Sequence, residues 1–221
     1  MQNQIKEKLL VFWSGGIKSA LALHTIKANP QYEVVGLVTS LGQDSNAVPF
    51  HGIPDSLLIQ QSKMLNIPLL RIFLPPNCPN SEYVARVNEM LLPFKKRGIS
   101  AVVFGDTHLT DVRKFREEMF EAIGLHCIFP LWGKAPKDLY QEIFHLGYKA
   151  LVTSVNLSSL DKSFLNCEFN QAFLDRLPST FDQSSFHTFI IYGPAFKSRV
   201  AFSKAVAIEE GPYLVSLVKE P

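Results

Sequence analysis

Leu9-Leu10-Val11-Phe12-Trp13-Ser14-Gly15-Gly16-Ile17-Lys18-Ser19-Ala20 is the stretch on which the fold turns. Its first five residues are apolar and bulky, the composition of a short buried strand. Ser14-Gly15-Gly16 then breaks the strand, and helical periodicity runs from about Lys18 to Lys27, stopping before Asn29-Pro30 because a residue ahead of proline avoids the α region. A strand, a glycine turn and a helix in that order form an anion trap. Glycines let backbone approach a ligand closely, and the unpaired N–H groups of the first helical turn, with the helix dipole, favour negative charge there. Ser14 and Ser19 add hydroxyls, and Lys18 adds a cation suited to phosphate. Two familiar phosphate loops are excluded. A Walker loop needs glycines where this chain has Phe12 and Ile17, and a dinucleotide fingerprint needs a third glycine that is absent here.

Outward from this loop the alternation continues. Glu33–Thr39, Leu69–Leu74 and Ala101–Phe104 read as further buried strands, with Cys127–Phe129 a weaker one. Helices are predicted over Asp55–Leu65 with Asn66 as cap, Ser81–Arg97 with Pro93 in its last turn, and Val112–Ile123. Such alternation implies right-handed crossovers and an α/β fold, a parallel doubly wound sheet of Rossmann-like type. Ligands of such sheets sit beyond the carboxyl ends of the strands, which directs attention to the loops after Trp13, Thr39, Leu74 and Phe104.

Beyond Gly133 the pattern changes. A helix over Pro136–Leu146 and a strand over Ala150–Val155 precede a polar, loop-rich stretch. The strand-like runs Phe186–Tyr192, Arg199–Ile208 and Tyr213–Val218 read as an antiparallel set joined by turns at Gly193-Pro194 and Gly211-Pro212. The expected organisation is therefore an α/β domain carrying the phosphate-type loop over 1–133 and a smaller α+β C-terminal region over 134–221.

The 221 residues are 47% hydrophobic and 19% charged, enough for a substantial core. A net charge of +2, spread without a basic stripe, speaks against a nucleic-acid partner. No apolar run reaches the roughly 20 residues of a membrane span. The N-terminal Met-Gln-Asn-Gln lacks a leader pattern, and Cys78, Cys127 and Cys167 match neither a zinc nor a disulfide spacing, so a cytoplasmic location is expected.

Several short motifs, taken in order, carry a resemblance: Trp13-Ser14-Gly15-Gly16 with Ser19-Ala20, Glu33-Val34-Val35-Gly36-Leu37, His51-Gly52, Pro75-Pro76-Asn77-Cys78, Phe104-Gly105-Asp106, Phe129-Pro130-Leu131-Trp132-Gly133, and Phe186-His187-Thr188-Phe189 with Gly193-Pro194. With them the chain resembles the diphthine–ammonia ligase family of PP-loop proteins (N-type ATP pyrophosphatases). The resemblance implies an adenine nucleotide alpha-hydrolase-like fold, ATP as the nucleotide, and an AMP-forming amide ligase that adenylates a carboxyl group for attack by ammonia. It implies Ser14, Gly15, Gly16, Lys18 and Ser19 at the phosphates, Val38, Thr39 and Ser40 near adenine or ribose, and His51, Gly52 and Gly105 around the nucleotide. Lys18, Asp106 and His187 are the candidate catalytic residues. For Asp106 a helix-capping role weighs equally, and for His51 and His187 a structural role does.

Two departures from the family pattern fall within these motifs. The family loop carries an acid where this chain has Lys18, a change of two charge units. At about 6 Å and an effective dielectric of about 20, each charge pair is worth roughly 2–3 kcal/mol. Triphosphate binding is thus kept or favoured, while a contact for Mg2+ is lost, which makes magnesium dependence doubtful. Relatives also carry a Gly-Glu-rich run before Phe-His-Thr, where this chain reads Phe181-Asp182-Gln183-Ser184-Ser185, with Ser185 replacing a glutamate. The alternative reading is therefore a nucleotide-binding protein without turnover, and a weaker one is RNA modification. The expected partners are a nucleotide and an unidentified carboxyl substrate, small molecule or protein, with a homodimer left open.

Overall fold

The computed structural model describes residues 5–221; residues 1–4, part of the stretch on which the leader reading rests, lie outside them. In chain order the elements are β1 (Glu7–Phe12), α1 (Ile17–Ala28), β2 (Tyr32–Gly42), β3 (Ala47–Val48), β4 (Ile53–Pro54), α2 (Asp55–Leu65), β5 (Leu69–Leu74), α3 (Asn80–Lys95), β6 (Ile99–Val103), α4 (Thr110–Glu121), β7 (His126–Ile128), α5 (Pro136–His145), β8 (Lys149–Asn156), α6 (Gln171–Asp175), β9 (Phe186–Tyr192), β10 (Ser203–Glu210) and β11 (Tyr213–Lys219). They divide into two compact units. The first holds β1 with Trp13, Lys18–Asp44 and Ile67–Lys134. The second holds Ser14–Ile17, Ser45–Asn66 and Ala135–Pro221.

The first unit is a five-stranded parallel sheet in the order β5-β2-β1-β6-β7. Its strands are buried apolar runs because helices cover such sheets on both faces. Leu9, Leu10 and Val11 are fully buried, and Leu10, Val38, Ile72, Val102, Phe104 and Phe120 share one core. Phe12 stacks on Phe104 at 4.4 Å, and both rings meet Phe120 at 5.6 Å, contacts worth about 0.5–1.5 kcal/mol each beyond burial. The chain builds outward from β1 to β5 on one side and then to β7 on the other, so the order reverses between β1 and β6. Open sheets of this kind bind ligands at that reversal. The α/β doubly wound class read from the sequence is therefore the observed one.

The second unit carries an antiparallel sheet in the order β10-β11-β8-β9 and the two-stranded ribbon β3-β4. An aromatic cluster of Tyr140, Phe169, Phe173 and Phe186, with ring centroids 5.0–6.0 Å apart, fills its interior. The expected chain of three antiparallel neighbours needs a correction. β10 and β11 pair through the Gly211-Pro212 turn, but β9 pairs with β8 instead of β10, so Gly193-Pro194 starts a crossover and not a hairpin. Helix α2 ends on Asn66, whose left-handed backbone (φ 54°) lets its N–H close onto Lys63 O. Among the described residues no helix is long and apolar enough to cross a membrane.

Candidate functional site

In the first unit, β1 ends earlier than its neighbour. Phe12 pairs with Val38, the Trp13 N–H donates to Val38 O at 2.7 Å, and β2 runs on to Gly42 alongside β5 alone. Val38 points its side chain into the core, whereas Thr39 and Ser40 lie beyond the end of β1. Thr39 is 2% exposed and its Oγ1 has no hydrogen-bond partner among the described residues. A buried hydroxyl left unpaired in this way costs free energy that a polar ligand atom would recover. Ser40 hydrogen-bonds the Tyr83 hydroxyl, which burial pushes above its ordinary range against the opposing pull of Arg116.

At the end of β6, Gly105 lies directly against the first turn of α1. A Cβ there would sit 2.8 Å from the Lys18 carbonyl carbon and oxygen and 3.1 Å from Ser19 N. The structure thus brings Lys18, Ser19 and Gly105 together, and that contact explains the glycine without a ligand. Asp106 follows, with its Oδ2 2.9 Å from Arg116 Nε, while the same guanidinium lies 4.1 Å from the centre of the Phe104 ring. The capping role weighed for Asp106 is not what the structure shows, since Leu109 occupies the N-cap of α4 and no side chain caps it.

In the second unit, Ser14–Ile17 is docked along β9, the edge strand of the antiparallel sheet. The Ile190 N–H donates to Gly15 O at 2.8 Å, and the Ile17 N–H donates to Thr188 Oγ1 at 3.1 Å. The Gly16 N–H reaches Ser14 Oγ at 3.4 Å. Neither loop glycine has room for a side chain. At Gly16 a Cβ would meet the Thr188 carbonyl oxygen at 2.8 Å; at Gly15 (φ +80°) it would meet Leu58 and Gln61 at 2.8 and 2.9 Å. Gln61, completely buried, donates through Nε2 to both Gly15 O (3.1 Å) and Ile190 O (2.8 Å).

One residue before Thr188, His187 lies opposite Ser154 of β8. Its ring stacks on His51 with centroids 4.0 Å apart and meets Tyr213 at 5.2 Å. His51 Nδ1 lies 2.9 Å from Pro49 O; a carbonyl only accepts, so Nδ1 carries the hydrogen. Gly52 (φ +69°) brings this segment hard against β11, where a Cβ would lie 2.5 Å from Val215 Cγ1 and 2.6 Å from Ser216 O. Ser185 is fully buried in a closed turn. Its hydroxyl accepts the Asp182 N–H at 3.0 Å, and the Asp182 carboxylate accepts from the Ser184 N–H and hydroxyl at 2.6 Å each. Those bonds hold the Asp182 carboxyl below its ordinary value, the Ser184 hydroxyl contributing most.

The predicted site residues thus fall into two sets. Lys18, Ser19, Val38, Thr39, Ser40, Gly105 and Asp106 belong to the first unit, and Ser14, Gly15, Gly16, His51, Gly52 and His187 to the second. Gln61 and Arg116 escaped the sequence reading, and Thr188 entered it only as part of the Phe186-His187-Thr188-Phe189 motif, without a role. Gln61 had a signal, being a polar residue on the buried stripe of α2 with Leu57, Leu58 and Leu65. Among the described residues no group of three or more His, Cys, Asp or Glu side chains is arranged to hold a metal ion.

A comparison with curated proteins finds no match. The family model described as the diphthamide synthase N-terminal domain matches residues 7–127, more than half of the chain and all of the parallel sheet except the last residue of β7. On that match the chain belongs to the diphthamide synthase N-terminal domain family, a PP-loop family of ATP-binding proteins.

Proposed function

We propose that the protein is an ATP-dependent, AMP-forming amide ligase acting on a carboxyl substrate with ammonia. The observation that carries the reading is the docking of Ser14–Ile17 onto β9 through Thr188 and Ile190, which ties the loop to the strand bearing His187. ATP would supply the adenylyl group that makes a carboxyl oxygen a leaving group, with pyrophosphate released first and AMP displaced by the ammonia nitrogen.

The chain's own residues divide this work. In the first unit, Lys18 and Ser19 at the start of α1 take phosphate oxygens, while Thr39 and Ser40 offer hydroxyls to adenine or ribose. The buried, unpartnered Thr39 Oγ1 fits that role, as does a helix terminus for phosphate. Asp106, fixed by Arg116, supplies negative charge at the end of β6. In the second unit, Ser14, Gly15 and Gly16 contribute to the phosphate cradle. His187, stacked on His51, takes the proton lost when ammonia nitrogen attacks. The family binds ATP, typically with Mg2+, and the absent loop acid makes this chain's magnesium dependence a point to measure. Purified protein given ATP, Mg2+, ammonia and a library of carboxylic acids is expected to release pyrophosphate with at least one acid; silence across a broad library overturns the ligase assignment.

A second reading, a nucleotide binder without turnover, draws on Ser185. A glutamate in that fully buried turn position would lack space and solvation, so the acid of relatives has no counterpart here. This reading expects ATP or AMP to raise the melting temperature equally with and without Mg2+. It also expects Lys18→Asp to switch pyrophosphate release on; if the substitution abolishes an existing turnover, the ligase reading stands.

A further inference from the structure

The geometry points to Gln61 as a positioning residue for the phosphate loop, one that holds the Gly15–Gly16 peptide with its N–H turned toward the bound anion. This rests on reading Ser14–Ser19 as the phosphate loop and names what fixes its shape. Gln61 lies on α2 between Leu58 and Leu65, with its side chain completely buried. A carboxamide in that position must be hydrogen-bonded, and both acceptors it faces are carbonyls, so the group facing them is the amide nitrogen. Its two bonds go to Gly15 O at 3.1 Å and Ile190 O at 2.8 Å. Gly15 O receives a second donor, the Ile190 N–H, at 2.8 Å.

The carbonyl and N–H of a trans peptide point in opposite directions, and no cis peptide is present among the described residues. Pinning Gly15 O toward β9 and α2 by two donors therefore turns the Gly16 N–H away from β9, to the side where Ser14 Oγ lies at 3.4 Å. A peptide flanked by two glycines reorients more easily than any other. Turned over, it would offer a carbonyl oxygen where a phosphate needs a donor. Gln61 opposes that rotation by holding the carbonyl on the far side, and it does so without touching the ligand.

The test is calorimetric titration of the full chain and its Gln61→Met variant with ATP and with adenosine. Methionine keeps the length and volume but donates nothing. The expected result is ATP affinity reduced about tenfold, the scale of one charge-assisted hydrogen bond, with adenosine affinity unchanged because adenosine has no phosphate. Equal weakening of both ligands, or undiminished ATP binding, overturns the role of Gln61. A wild-type chain that binds adenosine but gains nothing from the triphosphate instead overturns the phosphate-loop reading itself, and this inference with it. Should Gln61→Met fail to fold, amide NMR of the wild type during pyrophosphate titration decides the matter. The Gly16 amide is expected to move downfield, and an unmoved Gly16 amide overturns the inference.

Discussion

Thr39 holds a buried hydroxyl that no atom of the described residues pairs with. The side chain is 2% exposed, Oγ1 is unpaired, and the residue stands just past the point where β2 outruns β1. Replacing a buried, unpaired hydroxyl with a methyl of the same shape is neutral or stabilising. Thr39→Val is therefore expected to leave the urea midpoint unchanged or raised while weakening adenosine binding, measured by calorimetry; unaltered adenosine affinity removes Thr39 from the site. Tyr140 makes the opposite case of a polar group that serves stability. Burial first, and the negative Asp182 second, hold its hydroxyl well above the ordinary 10.0. The folded chain keeps a proton that the unfolded chain surrenders above pH 10, so the stability it contributes below that value drains away as pH rises. Each unit of pH there costs up to about 1.4 kcal/mol for one proton. Urea midpoints compared at pH 8, 10 and 11 should fall less steeply for Tyr140→Phe than for the wild type.

Elements with their own local signals were legible in the sequence. Leu69–Leu74, Asp55–Leu65 and Phe186–Tyr192 appear with the boundaries their periodicity predicts, and Asn66 caps α2 as a residue tolerant of left-handed backbone should. Ribbon β3-β4 did not show, because two-residue strands have no periodicity to read. The partner of β9 did not show either, since register between distant strands is set by packing that no local pattern records. The same division holds for the candidate site. Ser14–Ser19 announced itself through glycine and hydroxyl spacing, whereas Gln61 and Thr188 act on that loop through bonds to residues 46 and 171 positions away. Gly52 shows how tightly the second unit is assembled around such contacts. Gly52→Ala would force a Cβ to 2.6 Å from the Ser216 carbonyl oxygen in a left-handed backbone, and carbonyl groups in a sheet cannot retreat cheaply. A loss of about 3 kcal/mol is expected, read as a fall in melting temperature of roughly 6–12 °C for a chain of this size; a fall under 2 °C contradicts the packing described.

Across the whole molecule, the chain moves between its two units several times. We propose a functional division near residue 133 between nucleotide and substrate handling, but the second unit already draws on Ser14–Ile17 and Ser45–Asn66. A fragment ending at residue 134 would therefore keep the five-stranded sheet while stripping Gln61 of its bond to Ile190 of β9 and Gly52 of its contacts with Val215 and Ser216 of β11. Such a fragment is expected to bind a hydrophobic dye and to lose its cooperative thermal transition over residues 45–66, measured by hydrogen exchange. Full protection of that segment in the fragment would show that the interleaving matters less than the hydrogen bonds indicate.

The bond from Ile17 to Thr188 spans 171 positions, and a ribosome delivers those positions in order. The loop leaves the exit tunnel well before the strand that shapes it. A growing chain can lay down β1, α1 and the rest of the parallel sheet long before its glycine turn acquires a fixed form. Nucleotide capture by this loop, as we propose it, therefore waits for a strand made 171 positions later.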